Sequence, residues 1–141
     1  MCALKRPFDD QSDNRIWIET EAVIRILELC HLQEIGIVNS AALVIENNQN
    51  PKPIRRSRVA AVIAAFGEPV PLTARILNRA ENVRALGFKD MDALHIAFAE
   101  FTRSDYLVTC DDRLCAKSAR VAERIAARVT DPLQFLKEYR E

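Results

Sequence analysis

Three acidic residues on separate segments have the types and the spacing to bind a divalent metal ion. Asp111 directly follows the apolar segment DYLVTC, Glu46 lies about two helical turns after the short segment GIVN, and Asp92 begins a largely apolar helical segment. Carboxylates supply the oxygen ligands that Mg²⁺ and Mn²⁺ take. Such an ion lowers the pKa of a bound water and offsets charge on a leaving oxygen. The chemistry predicted is metal-dependent hydrolysis of a phosphodiester.

Each of these acids also has a purely structural interpretation. The helix dipole favours Asp92 in a first turn, although an acid in an apolar helix is costly without a purpose. Asp111 and Asp112 form a pair at a strand-to-helix turn, where one of them is expected to be the N-cap. Glu46 is typical of a solvated helix residue. On these residues alone, a nuclease is one hypothesis among several.

The other polar residues are weaker candidates. His95 lies one turn after Asp92, and we interpret it as a hydrogen-bonded core residue and not a ligand. Asp9 and Asp10 are interpreted as loop and turn residues, and Asp90 as a helix cap. The basic residues that could contact phosphates, each equally explained as solvated surface, are Arg55, Arg56, Arg58 and Lys117.

The composition argues against several other classes of protein. A chain of 141 residues suits a single domain, here 1–141, and 49% hydrophobic with 28% charged residues is typical of globular proteins. Twenty basic residues balance 20 acidic ones, so the net charge argues neither for nor against a nucleic-acid partner. Because no membrane-span or signal-peptide pattern is found, we expect a cytoplasmic protein without membrane contact.

The four cysteines do not form a recognisable metal or disulfide pattern. There is no CxxC pair, and neither of the two histidines stands at zinc-site spacing from a cysteine pair. We therefore expect neither a zinc site nor a disulfide framework. The residues interpreted as reduced thiols are Cys2, Cys30, Cys110 and Cys115.

Alternating helices and strands are expected to position the acids. A loop is predicted over 2–12, followed by a helix that begins at Asp13 and turns Glu19 to solvent. The residues predicted on its apolar face are Ile16, Thr20, Val23, Ile24 and Leu27. Further helices are predicted over 40–47, 53–67, 74–86, 89–104, 111–125 and 131–141. Strands are predicted over 34–40, 105–110 and 127–130, with an extended segment over 68–73.

This alternation predicts an α/β fold with a mostly parallel sheet. Ligands of open α/β sheets bind outside the carboxyl ends of the strands, which is where the acids fall. The nearly continuous apolar run over 105–110 predicts a strand covered on both faces.

The segment DMDALHIAFAEFTRSDYLVTCDDRL resembles the second half of a PIN domain, the metal-dependent ribonuclease fold of VapC-type toxins. That family carries an Asp-Ala-Leu-His-x-Ala helix and then a strand that ends Thr-x-Asp, here 92–97 and 109–111. SAALVIENNQNP is similar to the family's second acidic segment, with Ser40 followed six residues later by Glu46. RPFDDQ resembles the loop after the first strand in one bacterial branch, so the resemblance extends over nearly the whole chain.

The resemblance implies a three-layer α/β/α sandwich with a central, mostly parallel sheet. Glu46, Asp92 and Asp111 would be the second, third and fourth acids of a site that binds metal and carries catalysis, with Thr109 as a supporting polar residue. The implied activity is cleavage of single-stranded RNA with Mg²⁺ or Mn²⁺. In the toxin branch the family also implies a homodimer and a small partner antitoxin.

The beginning of the chain departs from the family pattern. PIN domains open with a short hydrophobic strand that ends in the first metal-binding aspartate, and neither stands before CALKRPFDD. We therefore expect that the true protein starts upstream of Met1. Loss of a central strand would leave unpaired backbone groups and a gap in the core. The 141-residue chain is accordingly expected to be weakly stable and poorly active.

Two alternatives stay open. A degenerate PIN-like domain could bind RNA or a partner protein without cutting. An unrelated α/β domain could bind a nucleotide, although the chain has three glycines in all and no glycine-rich loop.

Overall fold

The computed structural model describes residues 2–140, and for Cys2 the backbone alone. Over this range the chain forms eight α-helices and two β-strands. The helices are α1 (Cys2–Lys5), α2 (Asn14–His31), α3 (Ala41–Asn48), α4 (Pro53–Ala64), α5 (Ala74–Arg84), α6 (Asp90–Phe101), α7 (Asp112–Arg120) and α8 (Pro132–Arg140). The strands are β1 (Tyr106–Val108) and β2 (Arg128–Thr130). Short 3₁₀ turns occur at Arg6–Phe8 and Ala122–Arg124.

The described strands run in parallel, as the alternation of elements predicted. β1 pairs with β2, and this two-stranded sheet is the only one in residues 2–140. A separate parallel bridge joins Ser40 and Val70: the Val70 amide donates to Asn39 O and the Ala41 amide donates to Val70 O, both at 2.9 Å. The α/β class is therefore confirmed, with a smaller sheet than expected.

Local capping explains most of the helix starts. Asp13 accepts a hydrogen bond from the Ile16 amide and is the N-cap of α2, as predicted. Ser40 and Thr73 cap α3 and α5 in the same way. Proline stands at the first position of α4 and α8, where its missing N–H is no loss.

Several local predictions were wrong. The 2–12 segment is not all loop, because it contains α1 and the first 3₁₀ turn. The 34–40 segment forms only the bridge at Ser40, since the residues before it have no neighbouring strand among the described residues. Asp90 is not the cap of α6; Lys89 occupies the N-cap position and Asp90 is the first helical residue.

The burial of α2 differs from the prediction at two residues, Ile24, which is 41% exposed, and Glu19. Thr20 and Val23 are buried as expected, but Glu19 is also buried, with 4% of its surface exposed. The Nε of Arg6 donates to Oε1 of Glu19 at 3.0 Å, and Arg15 approaches the same oxygen at 3.6 Å. These guanidinium groups compensate the buried carboxylate, so the helical pattern alone could not assign its position.

Helices cover both faces of β1. On one face, Val23 of α2 clusters with Ala3 and Cys110. On the other face, Leu107 packs against a cluster that includes Ile96 of α6. Helix, sheet and helix therefore form three layers, with the strongly buried α6 at the centre of the larger core.

Among the described residues, Cys30, Cys110 and Cys115 form no disulfide, whereas the Cys2 side chain, Met1 and Glu141 lie outside the described residues. Within 2–140, no helix combines the length and the apolar character that crossing a membrane requires.

Candidate functional site

The three predicted acids are carried by three elements. Glu46 lies in α3, Asp92 in the first turn of α6, and Asp111 at the N-cap of α7 directly beyond β1. The charges of Asp111 and Glu46 both act on the Asp92 carboxyl. The structure thus brings Glu46 and Asp111 within electrostatic range of Asp92.

Glu46 is the acid that lies against a histidine. Its Oε2 lies 3.5 Å from Nε2 of His95, and neither atom has a hydrogen-bond partner among the described residues. Burial raises the pKa of Glu46, but the imidazole of His95 and the charge of Lys5 outweigh it, so the pKa lies below its usual value. The lowered pKa favours the ionised form of Glu46, and its buried Oε2 has no hydrogen-bond partner among the described residues.

Asp92 is the acid whose charge is least favourable. Partial burial, followed by repulsion from Asp111, raises the pKa of Asp92, and the charge of Glu46 adds to this rise. His95 and Lys89 act in the opposite direction but do not cancel the effect. The dipole of α6 is therefore not a sufficient reason for a carboxylate at this position.

Asp111 has a structural task as well as a place in the acidic group. Its Oδ1 accepts hydrogen bonds from the Arg113 amide at 2.9 Å and the Leu114 amide at 3.2 Å, which caps α7. The Asp111 amide donates to Oγ1 of buried Thr109 at 3.1 Å. Thr109 therefore fixes the backbone that presents the Asp111 carboxylate.

The donor set fits a hard divalent cation, although the side chains do not form a closed site. In the range 2–140, no group of three His, Cys, Asp or Glu side chains has the geometry to hold one metal ion. Two observations still favour a cation: the buried Glu46 Oε2 has no hydrogen-bond partner in this range, and Asp92 is destabilised by its acidic neighbours. A cation would relieve both.

Asp9 is not a further acid of this group. Both of its oxygens face arginines, Oδ2 at 3.0 Å from Arg6 and Oδ1 at 2.8 Å from Arg55. Asp10 accepts a hydrogen bond from the Ser12 amide, as aspartates in turns commonly do. Both interpretations from the sequence agree with these contacts.

Three of the four basic candidates for phosphate contact have contacts within the protein. Arg55 pairs with Asp9, and Arg56 donates to the Asn50 carbonyl at 3.0 Å. Lys117 donates to the Gly87 carbonyl at 2.7 Å. Arg58 is exposed on α4. None of the four contributes to the charges that shift the pKa of Glu46 or Asp92.

Sequence reasoning missed two lysines near the acids. The charge of Lys5 acts on Glu46, and that of Lys89 acts on Asp92. Lys89 directly precedes the DMDALH segment, which was a usable signal. Lys5 could not be assigned, because only the fold brings the first residues beside α3.

Comparison with known proteins gives one match. A family model described as PIN domain matches residues 8–120, a range that contains all three acids. Neither the curated proteins nor the solved structures contain a significant match.

Proposed function

The chain belongs to the PIN domain family, and on this premise we propose that it is a metal-dependent endoribonuclease cleaving single-stranded RNA. The family supports nuclease activity in general. One observation carries the finer proposal: Asp92 bears a carboxylate that burial and two neighbouring acids disfavour. An unfavourable charge cluster of this kind is expected where a cation is to be bound.

Glu46, Asp92 and Asp111 would hold Mg²⁺ or Mn²⁺. When bound, such an ion supplies an activated water and offsets charge on the leaving oxygen. Asp111 caps α7 through Oδ1, so Oδ2 is the oxygen that it can offer to the ion. Thr109 fixes the backbone that presents that carboxylate, and the imidazole of His95 is among the groups that lower the pKa of Glu46 against the effect of burial.

Charges beside the acids favour a phosphate-containing substrate. Lys5 and Lys89 act on Glu46 and Asp92, and both can attract the backbone of RNA to an otherwise acidic group. The net charge of the chain is zero, so the molecule as a whole does not attract RNA. Attraction by the two lysines beside the acids would therefore contribute more to RNA recognition than the net charge does.

The same proposal extends to the toxin branch of the family. We infer a VapC-like cytoplasmic toxin, with 1–141 as a single domain, a homodimer in solution and a small antitoxin as partner. The support is the resemblance of DALHIA and TCD, together with RPFDDQ. Purification of the tagged chain from its native host, with identification of any small protein that co-purifies, tests the antitoxin, and sedimentation tests the dimer.

A non-catalytic PIN-like domain is the second candidate. The observation that favours it is the lack of a closed three-acid metal geometry within 2–140, together with Asp9 being engaged by two arginines. Binding of RNA without Mn²⁺ binding or cleavage would support this candidate and contradict the nuclease.

The deciding experiment measures cleavage of a mixed single-stranded RNA with Mn²⁺ and with EDTA. Asp92→Asn should abolish cleavage, whereas Asp90→Asn should leave it unchanged. The two positions share the first turn of α6, but the Asp90 side chain is 83% exposed and contacts only Arg84, at 3.5 Å, among the described residues. Equal activity of Asp92→Asn and the wild type would overturn the site.

A further inference from the structure

An arginine of α2 is joined to the first residue of α7, beside the acidic group. Nη2 of Arg15 donates to Oδ1 of Asp112 at 2.6 Å, across 97 residues of the chain. Asp112 directly follows Asp111, and the Cα atoms of consecutive residues are about 3.8 Å apart. The guanidinium is therefore bound one residue away from an acid of the proposed site. Arg15 is not one of the four basic candidates that the sequence indicated.

The surroundings of Cys115 show that these groups share one region of the molecule. Burial raises the pKa of the Cys115 thiol to about 11. Four carboxylates add to this rise, those of Asp131, Asp112, Asp111 and Glu19. Two of the four contact Arg15, and a third belongs to the proposed site. Arg15 therefore lies on the α7 side of the acidic group.

The buried carboxylate of Glu19 does not by itself account for Arg15. Arg6 is its closer partner, with Nε at 3.0 Å from Oε1, whereas Nε of Arg15 lies 3.6 Å from the same oxygen. At 3.6 Å the second contact is electrostatic and not a hydrogen bond. Glu19 therefore orients the Arg15 side chain, but it already has a hydrogen-bonded guanidinium partner without it.

The pair of Arg15 with Asp112 is open to water. The Arg15 side chain is 56% exposed and that of Asp112 is 69% exposed. Exposed ion pairs contribute little to stability, so this pair can be exchanged at small cost. Within residues 2–140, Nη1 of Arg15 donates no hydrogen bond. The guanidinium thus has one nitrogen to offer directly and a second that can leave Asp112.

The chemistry of the guanidinium suits a phosphate. Its planar group of donors binds two phosphate oxygens at once, which a single exposed carboxylate contact at Nη2 does not use fully. An RNA strand that approaches the acidic group needs cations beside the acids. Lys5 acts on Glu46 and Lys89 acts on Asp92. Arg15 supplies a third cation on the α7 side, next to the remaining acid.

We propose that Arg15 binds a phosphate of single-stranded RNA on the α7 side of the acidic group, and that this phosphate replaces Asp112 as the partner of its guanidinium. Glu19 keeps the side chain in place while the partner changes. Arg15 is thus a substrate-binding residue and has no part in the cleavage step. Only the identity of the ligand, single-stranded RNA, rests on the proposed function.

Binding of a labelled, mixed-sequence single-stranded RNA in EDTA tests the contact without cleavage. Arg15→Ala should weaken binding about tenfold at low salt, because a charge-assisted contact is lost. The slope of log affinity against log salt concentration should become shallower by about 0.7, the share of one phosphate in a single strand. Fluorescence anisotropy measures both quantities. Equal binding by wild type and Arg15→Ala, or no RNA binding by the wild type, would overturn the proposal.

Arg25→Ala is the matched control. Arg25 lies on the same helix in an exposed pair with Glu28, so its removal should change neither the affinity nor the salt dependence. The thermal midpoints of Arg15→Ala and Arg25→Ala should both stay close to that of the wild type, because both pairs are exposed. An equal loss of affinity in the two variants would indicate a general effect of charge and contradict a defined contact.

Asp112→Asn separates phosphate binding from a purely structural role of the pair. This change breaks the ion pair but keeps the guanidinium, and it removes a competing negative charge. RNA should therefore bind as tightly as to the wild type, or more tightly. A loss equal to that of Arg15→Ala would mean that the pair only fixes α7 against α2, and the proposal would be wrong. Arg15→Lys keeps the charge without the planar donors, so it should recover the salt dependence but only part of the affinity.

Cleavage assays with Mn²⁺ distinguish this proposal from the nuclease itself. Arg15→Ala should raise KM and leave kcat nearly unchanged, as expected when a binding contact is removed. RNA binding through Arg15 by a chain that does not cleave would contradict the nuclease and support this inference. Cleavage by the wild type with an unchanged KM in Arg15→Ala would do the reverse.

Discussion

Nε2 of His95 lies 3.5 Å from Oε2 of Glu46, in a contact that joins α6 to α3. At this distance the contact is electrostatic and not a well-formed hydrogen bond. The imidazole is 8% exposed, so the carboxylate acts on it through little water. The pair links one acid of the proposed site to the helix that carries another, Asp92.

Replacing Glu46 with Gln should abolish cleavage and weaken the fold in a pH-dependent way. The lowered pKa of Glu46 means that its stabilisation is present above the unfolded value of 4.5 and is lost as the pH falls through the folded value. The difference in unfolding free energy between wild type and Glu46→Gln should therefore be largest near pH 7 and small near pH 3. Because the side chain is partly exposed, we expect less than about 1 kcal/mol. Urea unfolding at both pH values measures it, and a constant difference would contradict the assignment.

Asp92→Asn should lose cleavage without losing stability. The raised pKa of Asp92 means that the wild-type fold loses stability as the pH rises from 3.8 through the folded pKa, because the unfolded chain ionises first. At pH 7 the variant should unfold at a temperature equal to or above that of the wild type. Scanning calorimetry gives the midpoints, with Asp90→Asn as the control on the same turn. A midpoint several degrees lower would show that Asp92 stabilises the fold.

Two substitutions at Asp111 should separate its two roles. Asn keeps the N-cap of α7 but removes the charge, so Asp111→Asn should retain stability and lose cleavage. Ala removes both, and should cost about 1 kcal/mol in addition. Chemical unfolding and RNA cleavage are measured on both variants. Full activity of Asp111→Asn would remove this residue from the site.

Manganese should stabilise the wild-type chain through the acids. At a concentration ten times the dissociation constant, a bound ion adds about 1.4 kcal/mol to the free energy of unfolding. The shift in thermal midpoint should disappear in Asp92→Asn and be reversed by EDTA. An equal shift in wild type and variant would indicate binding elsewhere on the surface.

Removing the buried carboxylate of Glu19 should lower the free energy of unfolding more than removing an exposed carboxylate from the same helix. Glu19→Ala removes the partner of Arg6 from a site that is nearly dry, and should cost about 2 kcal/mol. Glu28→Ala breaks an exposed pair with Arg25 on the same helix, and should cost less than about 0.5 kcal/mol. Urea unfolding compares the two directly. Similar losses would mean that burial does not strengthen the Arg6 pair.

The sequence predicted the features that are encoded locally. Helix starts at Asp13, Ser40 and Pro132 follow from caps and proline, and the parallel pairing of β1 follows from the alternation of elements. The candidate acids could be chosen because a strand end or a first helical turn marks each one.

What the sequence could not predict depends on partners distant along the chain. Burial of Glu19 requires Arg6, 13 residues away. The segment predicted as a strand over 34–40 needs a neighbouring strand, and among residues 2–140 only the bridge from Ser40 to Val70 supplies one. Helices cover both faces of β1, but the strand is only half-buried because a cavity of about 660 Å³ runs along its edge. The spacing of apolar residues indicates which secondary structure a segment prefers. It does not indicate whether a neighbouring strand is present to pair with that segment.

The N-cap role of Asp111, together with its role in the proposed site, has a consequence for descent within the family. If a lineage gave up the reaction, position 111 would still be held to Asp, Asn, Ser or Thr by the need to begin α7. No capping role constrains position 92, where burial and neighbouring acids raise the pKa of the aspartate. Among relatives, the residue at 92 would therefore record whether selection still acts on catalysis, whereas the residue at 111 would record little more than the persistence of a helix.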